Sequence, residues 1–177
     1  MYHKIYTIKK LKTAFTVLLC LIYTIINAQE KEPKLKLKEV ANFEIRDGRS
    51  NGTDITPKIL ENNMHLVLCE YPEINEIYLF NTSEKSDSKS YGRIYSVTKE
   101  ETPEDENFYK CQLYQFRWSY INTYDKKEGT AKVEIFVTYK PQGVYYELTI
   151  LPENLNVLVY KGLMTGDLSE LDSNIKK

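Results

Sequence analysis

Apolar and polar residues alternate with a period of two through most of the chain beyond residue 39. The alternation is clearest in the second half, where Val, Ile, Tyr and Thr are frequent and turn sequences separate four stretches: residues 108–121, 130–140, 144–151 and 155–161. Short strands at this spacing, without a helical period longer than two turns, predict an all-β fold. We expect a single antiparallel β-sandwich or small barrel-like domain of about seven to nine strands.

Weaker strands are predicted in the first half, at residues 40–46, 64–71, 76–80 and 91–98. Residues 47–57 contain Asp-Gly, Asn-Gly and Pro and predict a loop. Another loop, residues 99–107, holds five acidic residues. Their spacing differs from that of an EF-hand, so we interpret this loop as solvated and assign no metal site.

The register of one hairpin follows from its turn at residues 140–143. Pro141 cannot take the positive φ that a primed two-residue turn requires, which favours a longer loop. A four-residue loop makes every pair on one face apolar, whereas a slip of one residue would turn that set outward. The predicted pairs are Tyr139–Val144, Val137–Tyr146, Ile135–Leu148 and Val133–Ile150.

Residues 1–28 have the pattern of a secretory signal peptide. Four lysines precede the 13 apolar residues 14–26, and Ala28 is a small residue at the predicted cleavage position. A membrane-spanning helix needs about 20 apolar residues, so an uncleaved anchor is the less favoured alternative. We therefore predict an N-terminal signal peptide, cleavage after Ala28 and a secreted or periplasmic product without a membrane span.

The rest of the chain divides into three parts. Residues 29–38 predict a charged N-terminal tether, residues 39–162 the antiparallel β domain, and residues 163–177 a C-terminal tail with room for one short helix. Neither an internal repeat nor a second domain is indicated.

Charge argues against nucleic acid as a partner. The signal peptide contains four of the 24 basic residues and none of the 25 acidic ones, so its removal leaves 20 basic and 25 acidic residues and a net charge of −5. A nucleic-acid-binding domain normally has a basic excess.

The sequence contains none of the common catalytic or cofactor-binding motifs. The chain has no Gly-x-Ser-x-Gly, His-Glu-x-x-His or glycine-rich phosphate loop, so we expect neither a cofactor nor a motif-based active site. His65 would act as a general base only if a carboxylate such as Asp54 or Glu70 oriented it. A strand histidine without a visible partner is more often structural, so no catalytic residue is assigned.

Cys69 and Cys111 are the two cysteines outside the predicted signal peptide. In an oxidising compartment, two cysteines predict a disulfide, which here would close a loop of about 42 residues. The alternative is two separate buried thiols, because cysteine is among the most buried residue types.

One row of aromatic residues is the candidate ligand-binding site: Tyr114, Phe116, Trp118 and Tyr120 share one face of a predicted strand. They would form a platform for a sugar ring or the wall of an apolar pocket. The alternative, an ordinary core ladder, is the more common fate of such rows. The opposite apolar parity upstream, at Tyr109, Cys111 and Leu113, suggests a β-bulge between Leu113 and Tyr114 or a strand that leaves one sheet for another.

These patterns predict an exported small β domain that binds a small ligand, a glycan or an envelope protein without catalysis. Two alternatives stay open. One is a structural or assembly subunit of the cell envelope, with the lysine-rich residues 34–38 at a sheet edge. The other is a small secreted hydrolase that uses carboxylates or His65.

Overall fold

The computed structural model describes residues 35–85, 89–105, 109–153 and 156–175, and its β domain begins at residue 36. The predicted signal peptide and most of the predicted tether lie outside the described residues. Nine strands are present in this part of the chain: β1 (Lys38–Ser50), β2 (Thr53–Asp54), β3 (Met64–Tyr71), β4 (Glu76–Ser83), β5 (Ser90–Thr102), β6 (Cys111–Asn122), β7 (Glu128–Lys140), β8 (Gly143–Pro152) and β9 (Leu158–Gly166). A short helix, α1 (Thr56–Glu61), and a 3-10 helix, η1 (Leu168–Asn174), complete the fold.

Eight of the nine strands form a closed antiparallel barrel. Each strand from β3 to β9 pairs with the next, and β1 closes the sheet by pairing with both β3 and β9. The short β2 extends the edge of β1. The all-β prediction is confirmed, and the domain is a closed barrel rather than a sandwich.

Apolar side chains fill the interior of the barrel. Phe43, Leu68 and Phe116 are at most 2% exposed, as are most inward residues of the other strands. Leu168 and Leu171 of η1 have no exposed surface and close one end, which we call the η1 end. Ile59 of α1 is 1% exposed and packs into the core at the opposite end, which we call the α1 end. The described interior is therefore a packed core.

The register predicted for the β7–β8 hairpin is confirmed. The structure pairs Tyr139 with Val144, Val137 with Tyr146, Ile135 with Leu148 and Val133 with Ile150. The ladder also extends to a Lys140–Gly143 pair, and Gly143 has the positive φ of 143° that favours glycine.

The bulge predicted in β6 is wrong. Strand β6 pairs with β7 without a register shift from Cys111 to Ile121. The extra residue lies in the neighbouring strand β5, between Tyr95 and Thr98, where Ser96 has φ 55°. The apparent change of parity arose because a polar residue, Gln112, occupies an inward position and is only 6% exposed.

Two predicted boundaries also need correction. Strand β1 continues through Asp47 and Gly48 to Ser50, and α1 forms at Thr56–Glu61 within and beyond the predicted loop. Strand β9 extends to Gly166, past the predicted start of the tail at residue 163. The segment after it is part of the core, because η1 buries two leucines.

The predicted disulfide is absent, and both cysteines are free thiols. Cys69 pairs with Tyr78 of β4, which in turn pairs with Arg93 of β5, whereas Cys111 pairs with Thr102 at the far end of β5. At roughly 3.3 Å per residue, the stretch of β5 between Arg93 and Thr102 spans about 25–30 Å. A disulfide needs Cα atoms within about 7 Å, so this fold keeps the two thiols apart.

Candidate functional site

The predicted aromatic row is mostly core. Tyr114, Phe116 and Trp118 are 1%, 2% and 3% exposed, respectively, and point into the barrel. The Trp118 indole Nε1 donates a hydrogen bond of 3.2 Å to the Gly92 carbonyl oxygen, so the polar atom of this side chain is also satisfied internally. Phe116 and Trp118 therefore provide no surface for a ligand, and Tyr114 reaches only a cavity at the η1 end, where its hydroxyl donates to Asp172.

Tyr120, the fourth residue of the row, is half-buried and reaches a pocket at the α1 end. Its ring packs against Trp118 with 4.5 Å between the ring centroids and an interplanar angle of 31°. The pocket has a volume of about 650 Å³, and we call it the rim pocket. It is lined by Ser119, Tyr120, Asn122, Asp125, Lys127, Glu128, Gly129, Thr130 and Glu153.

The β6–β7 turn builds one wall of the rim pocket. The Asn122 amide donates to the Lys127 carbonyl at 2.9 Å, and the Asn122 side-chain oxygen accepts from the Tyr124 amide at 3.0 Å. The Asp125 carboxylate accepts from the Lys127 amide at 3.2 Å. Lys126 takes the left-handed conformation, with φ 58°, that reverses the chain. Because local hydrogen bonds hold this turn, the pocket wall does not depend on a ligand for its shape.

A glycine makes room for the Tyr120 ring. Gly129 lies directly opposite Tyr120 on β7, and a Cβ atom there would come within 2.7 Å of the ring carbon Cζ and of the hydroxyl oxygen. The absence of a side chain at residue 129 therefore allows the phenol to lie across β7 and to line the pocket.

Negative charge dominates the rim pocket. Three carboxylates line it, from Asp125, Glu128 and Glu153, against one ammonium group, from Lys127. Lys127 is 3.1 Å from Asp125, which leaves the other two carboxylates in excess. The backbone amide of Lys127 holds the pKa of Asp125 below its usual range, so this group stays ionised. Burial raises the pKa of Tyr120, which keeps its hydroxyl protonated and able to donate.

A second polar cluster lies at the η1 end, around a cavity of about 530 Å³. Lys99 is central to it: its ammonium group is 3.0 Å from Asp172 and 3.4 Å from Glu101. The Gln112 amide donates to Glu101 at 2.7 Å and accepts from the Tyr139 hydroxyl at 2.6 Å.

This second cluster has a structural explanation. The hydrogen bond to Asp172 is the main reason that the pKa of Lys99 lies above its usual range, so its ammonium group is unsuited to act as a base. Burial raises the pKa of Tyr114 in the same cluster to about 12. Lys99 attaches η1 to β5 through Asp172, and a Lys38–Glu170 contact of 2.8 Å attaches η1 to β1. The cluster therefore holds η1 in place.

His65 lacks the carboxylate that a general base would need. Its Nε2 lies 2.9 Å from the Thr82 hydroxyl on the outer face of the barrel. Asp54 instead accepts from the Thr56 amide at 2.8 Å, and Glu70 lies 3.6 Å from Lys38. Among the residues that the structure describes, no group of three His, Cys, Asp or Glu side chains could hold a metal ion.

The polar residues of the rim pocket were not predicted from the sequence. Glu128, Glu153 and Asn122 lie in or beside turn sequences, where polar residues are expected for solubility alone. The pairing of Tyr120 with Gly129 was the available signal, because an aromatic residue opposite a glycine leaves its ring free to lie across the neighbouring strand.

Comparison with known proteins gives no match to a family model, to a curated protein or to a solved structure. In the described part of the chain, no helix has the length and apolar character that crossing a membrane requires.

Proposed function

We propose that the chain is an exported, non-catalytic binding domain that takes a small organic cation, such as an amine, in the rim pocket. The observation that carries this proposal is the pocket itself, a cavity of about 650 Å³ beside the half-buried Tyr120. Ligand sites typically measure about 300–1,000 Å³ and often lie at the mouths of β-barrels.

The charge of the pocket favours a cation. The excess of carboxylates attracts positive charge, and the Tyr120 ring adds an aromatic surface of the kind that binds ammonium groups. The Tyr120 hydroxyl and the side-chain NH2 group of Asn122 add hydrogen-bonding groups for a polar substituent. A neutral apolar ligand would leave these groups unpaired.

Binding is favoured over catalysis because the polar clusters are already internally paired. Lys99 contacts two carboxylates, and His65 contacts a threonine hydroxyl. The assembly-subunit alternative placed a sheet edge at residues 34–38. From Ala41 to Glu44, β1 pairs with both β3 and β9, so this part of the strand has no free edge for a partner strand.

Trp118 provides a built-in reporter for a binding test. It is the only tryptophan of the chain, and its indole packs against the Tyr120 ring. A ligand in the rim pocket should therefore change its fluorescence. We would titrate the mature chain with choline, ethanolamine and putrescine. The uncharged carbon analogue of choline serves as the matched control ligand.

The expected result is saturable binding of at least one cation and much weaker binding of the uncharged analogue. Replacing both Glu128 and Glu153 by Gln should weaken binding by about tenfold or more, because each removes a negative charge from the pocket. Glu100→Gln is the matched control, since Glu100 is exposed on β5 near the η1 end. Equal affinity for cation and analogue, or no response to any probe, would refute the proposal.

Export is tested separately. The mature protein should be recovered outside the cytoplasm with the mass of a chain that begins at Gln29. Recovery of the full-length chain in the cytoplasm would refute export without affecting the ligand test.

A further inference from the structure

A second surface combines aromatic and basic residues on the outside of strands β4, β5 and β6. Its residues fall in two cross-strand rows and one pair: Phe80–Tyr91–Ile121, Tyr78–Arg93–Ser119 and Tyr95–Arg117. Paired residues of antiparallel strands share a face, and the inward neighbours Leu79 and Ile94 are buried, so these eight side chains point away from the core. We call this surface the outer aromatic face.

The rings of the outer aromatic face pack side by side. Phe80 and Tyr91 are nearly parallel, with an interplanar angle of 12° and 5.9 Å between centroids, and Tyr78 is 6.4 Å from Phe80. Tyr91 and Tyr95 nevertheless remain 38% and 40% exposed. These two tyrosines therefore present part of their surface to solvent.

Arg117 supplies the positive charge of this face, because it forms no ion pair among the residues that the structure describes, whereas the neighbouring basic groups do. Arg93 and Arg117 both lie on it and are exposed, and Arg93 is 3.0 Å from Glu76 at its margin. Lys132 adjoins Arg117 on β7 and contacts Glu134 at 2.7 Å. The full chain has a net charge of −1, and the rim pocket is acidic. An anionic partner would therefore be attracted to this face more than to the rim.

We propose that the outer aromatic face binds a carboxylated polysaccharide. Side chains two apart on a strand repeat every 6.6 Å or so, which sets hydroxyl, guanidinium and hydroxyl groups in a line at Tyr91, Arg93 and Tyr95. A polymer with regularly spaced hydroxyl and carboxylate groups meets such a line with hydrogen bonds and with charge-assisted Arg–carboxylate contacts.

A polysaccharide explains the face better than an acidic protein does. Protein interfaces are centred on desolvated apolar pockets, whereas the projecting groups here are phenol hydroxyls, guanidinium groups and the Ser119 hydroxyl. The two sites meet at Ser119, which also lines the rim pocket, but Arg117 lies outside that pocket, and the sites differ in charge and in the size of ligand they admit.

The test measures binding of the mature chain to polygalacturonate, with dextran as the neutral polymer and poly-glutamate as the acidic peptide. We expect binding to polygalacturonate alone, weakened by salt because exposed charges are screened. Arg117→Gln should weaken it by about fivefold or more, since hydrogen bonds to charged groups are the stronger class. Arg117→Lys should give an intermediate loss, because it keeps the charge without the planar fork.

Arg49→Gln is the matched control, because Arg49 is exposed at the α1 end of β1 and outside the outer aromatic face. Circular dichroism establishes that each variant is folded. Equal weakening by Arg49→Gln, equal binding of dextran, or no binding of polygalacturonate would overturn the inference. Equal binding of poly-glutamate would also overturn it, in favour of an acidic protein partner.

Discussion

Replacing Leu171 by alanine tests whether η1 is part of the barrel core. Leu171 has no exposed surface, and it belongs to the same apolar cluster as Phe43 and Tyr114. If this assignment is correct, the substitution leaves a cavity at the η1 end. If the C-terminal segment is instead a dispensable tail, its loss will have little effect.

The expected loss of stability is about 3 kcal/mol. Truncation of a buried leucine removes about 2–2.5 kcal/mol of transfer free energy, and the cavity adds to this, giving about 2.7–5 kcal/mol in measured cases. The lower part of that range applies, because a residue in a short terminal helix has more room to relax. For a domain of this size, about 3 kcal/mol corresponds to a fall in Tm of roughly 6–12 °C.

Urea unfolding followed by Trp118 fluorescence and by circular dichroism measures this loss. Agreement between the two probes would show that the transition is two-state. Leu60→Ala is the matched control, since Leu60 is 60% exposed on α1 and should change stability by less than about 0.5 kcal/mol. A loss at Leu171 no larger than that at Leu60 would refute the assignment of η1 to the core.

Three further predictions follow from the packing of single residues. Gly92→Ala should destabilise the protein by about 3 kcal/mol or more, or prevent folding, because a Cβ there would overlap the Ser119 carbonyl oxygen. Calorimetry measures this loss against the control Gly52→Ala, which carries only the strain of φ 81°. In native protein, a thiol reagent should label Cys111 at least tenfold faster than Cys69. Cys69 is 5% exposed, and burial raises its pKa to about 11, so little reactive thiolate is present. Equal labelling rates would contradict this prediction. The Cys69 thiol therefore contributes stability that is complete below its ordinary pKa of 9.0 and is lost as the pH rises towards 11, so urea midpoints of the wild type should fall more steeply over that range than those of Cys69→Ala.

The β7–β8 hairpin shows when sequence alone is sufficient to predict register. Its turn contains Pro141, which excludes one class of turn, and one face of the hairpin is apolar without interruption at Val133, Ile135, Val137 and Tyr139 and at their partners. Local chemistry and burial then agree on one pairing, and the structure has that pairing.

Strand β4 shows where the same reasoning is insufficient. Ile77, Tyr78, Leu79 and Phe80 are apolar at both parities, so period-two alternation does not say which pair points inward. In the barrel, Ile77 and Leu79 are buried and the two aromatic residues lie outside. When a strand of a filled barrel is apolar at both parities, half of its apolar side chains must lie on the outer surface. The sequence did not say which half, so the outer aromatic face was not predicted.

Two features of the barrel could not be predicted because they depend on contacts between residues far apart in the sequence. Tyr120 belongs to a row whose other members are core, and its exposure depends on the end of β6, on Gly129 opposite and on the turn between them. The separation of Cys69 from Cys111 likewise depends on two intervening strands. Neither the exposure of Tyr120 nor the separation of the cysteines can be inferred from neighbouring residues in the sequence, because both depend on the full strand order.

The filled interior also determines where a ligand can gain binding energy. Entry into the barrel from the η1 end would require η1 to leave, exposing Leu168 and Leu171 and separating Lys99 from Asp172. If removal of part of one leucine costs about 3 kcal/mol, displacement of the whole helix costs more, and even that minimum would weaken apparent affinity by a factor of about 100. The rim pocket and the outer aromatic face require no such opening, since their groups are already at the surface. A stability loss near 3 kcal/mol in Leu171→Ala would therefore support binding outside the barrel as well as the place of η1 in the core.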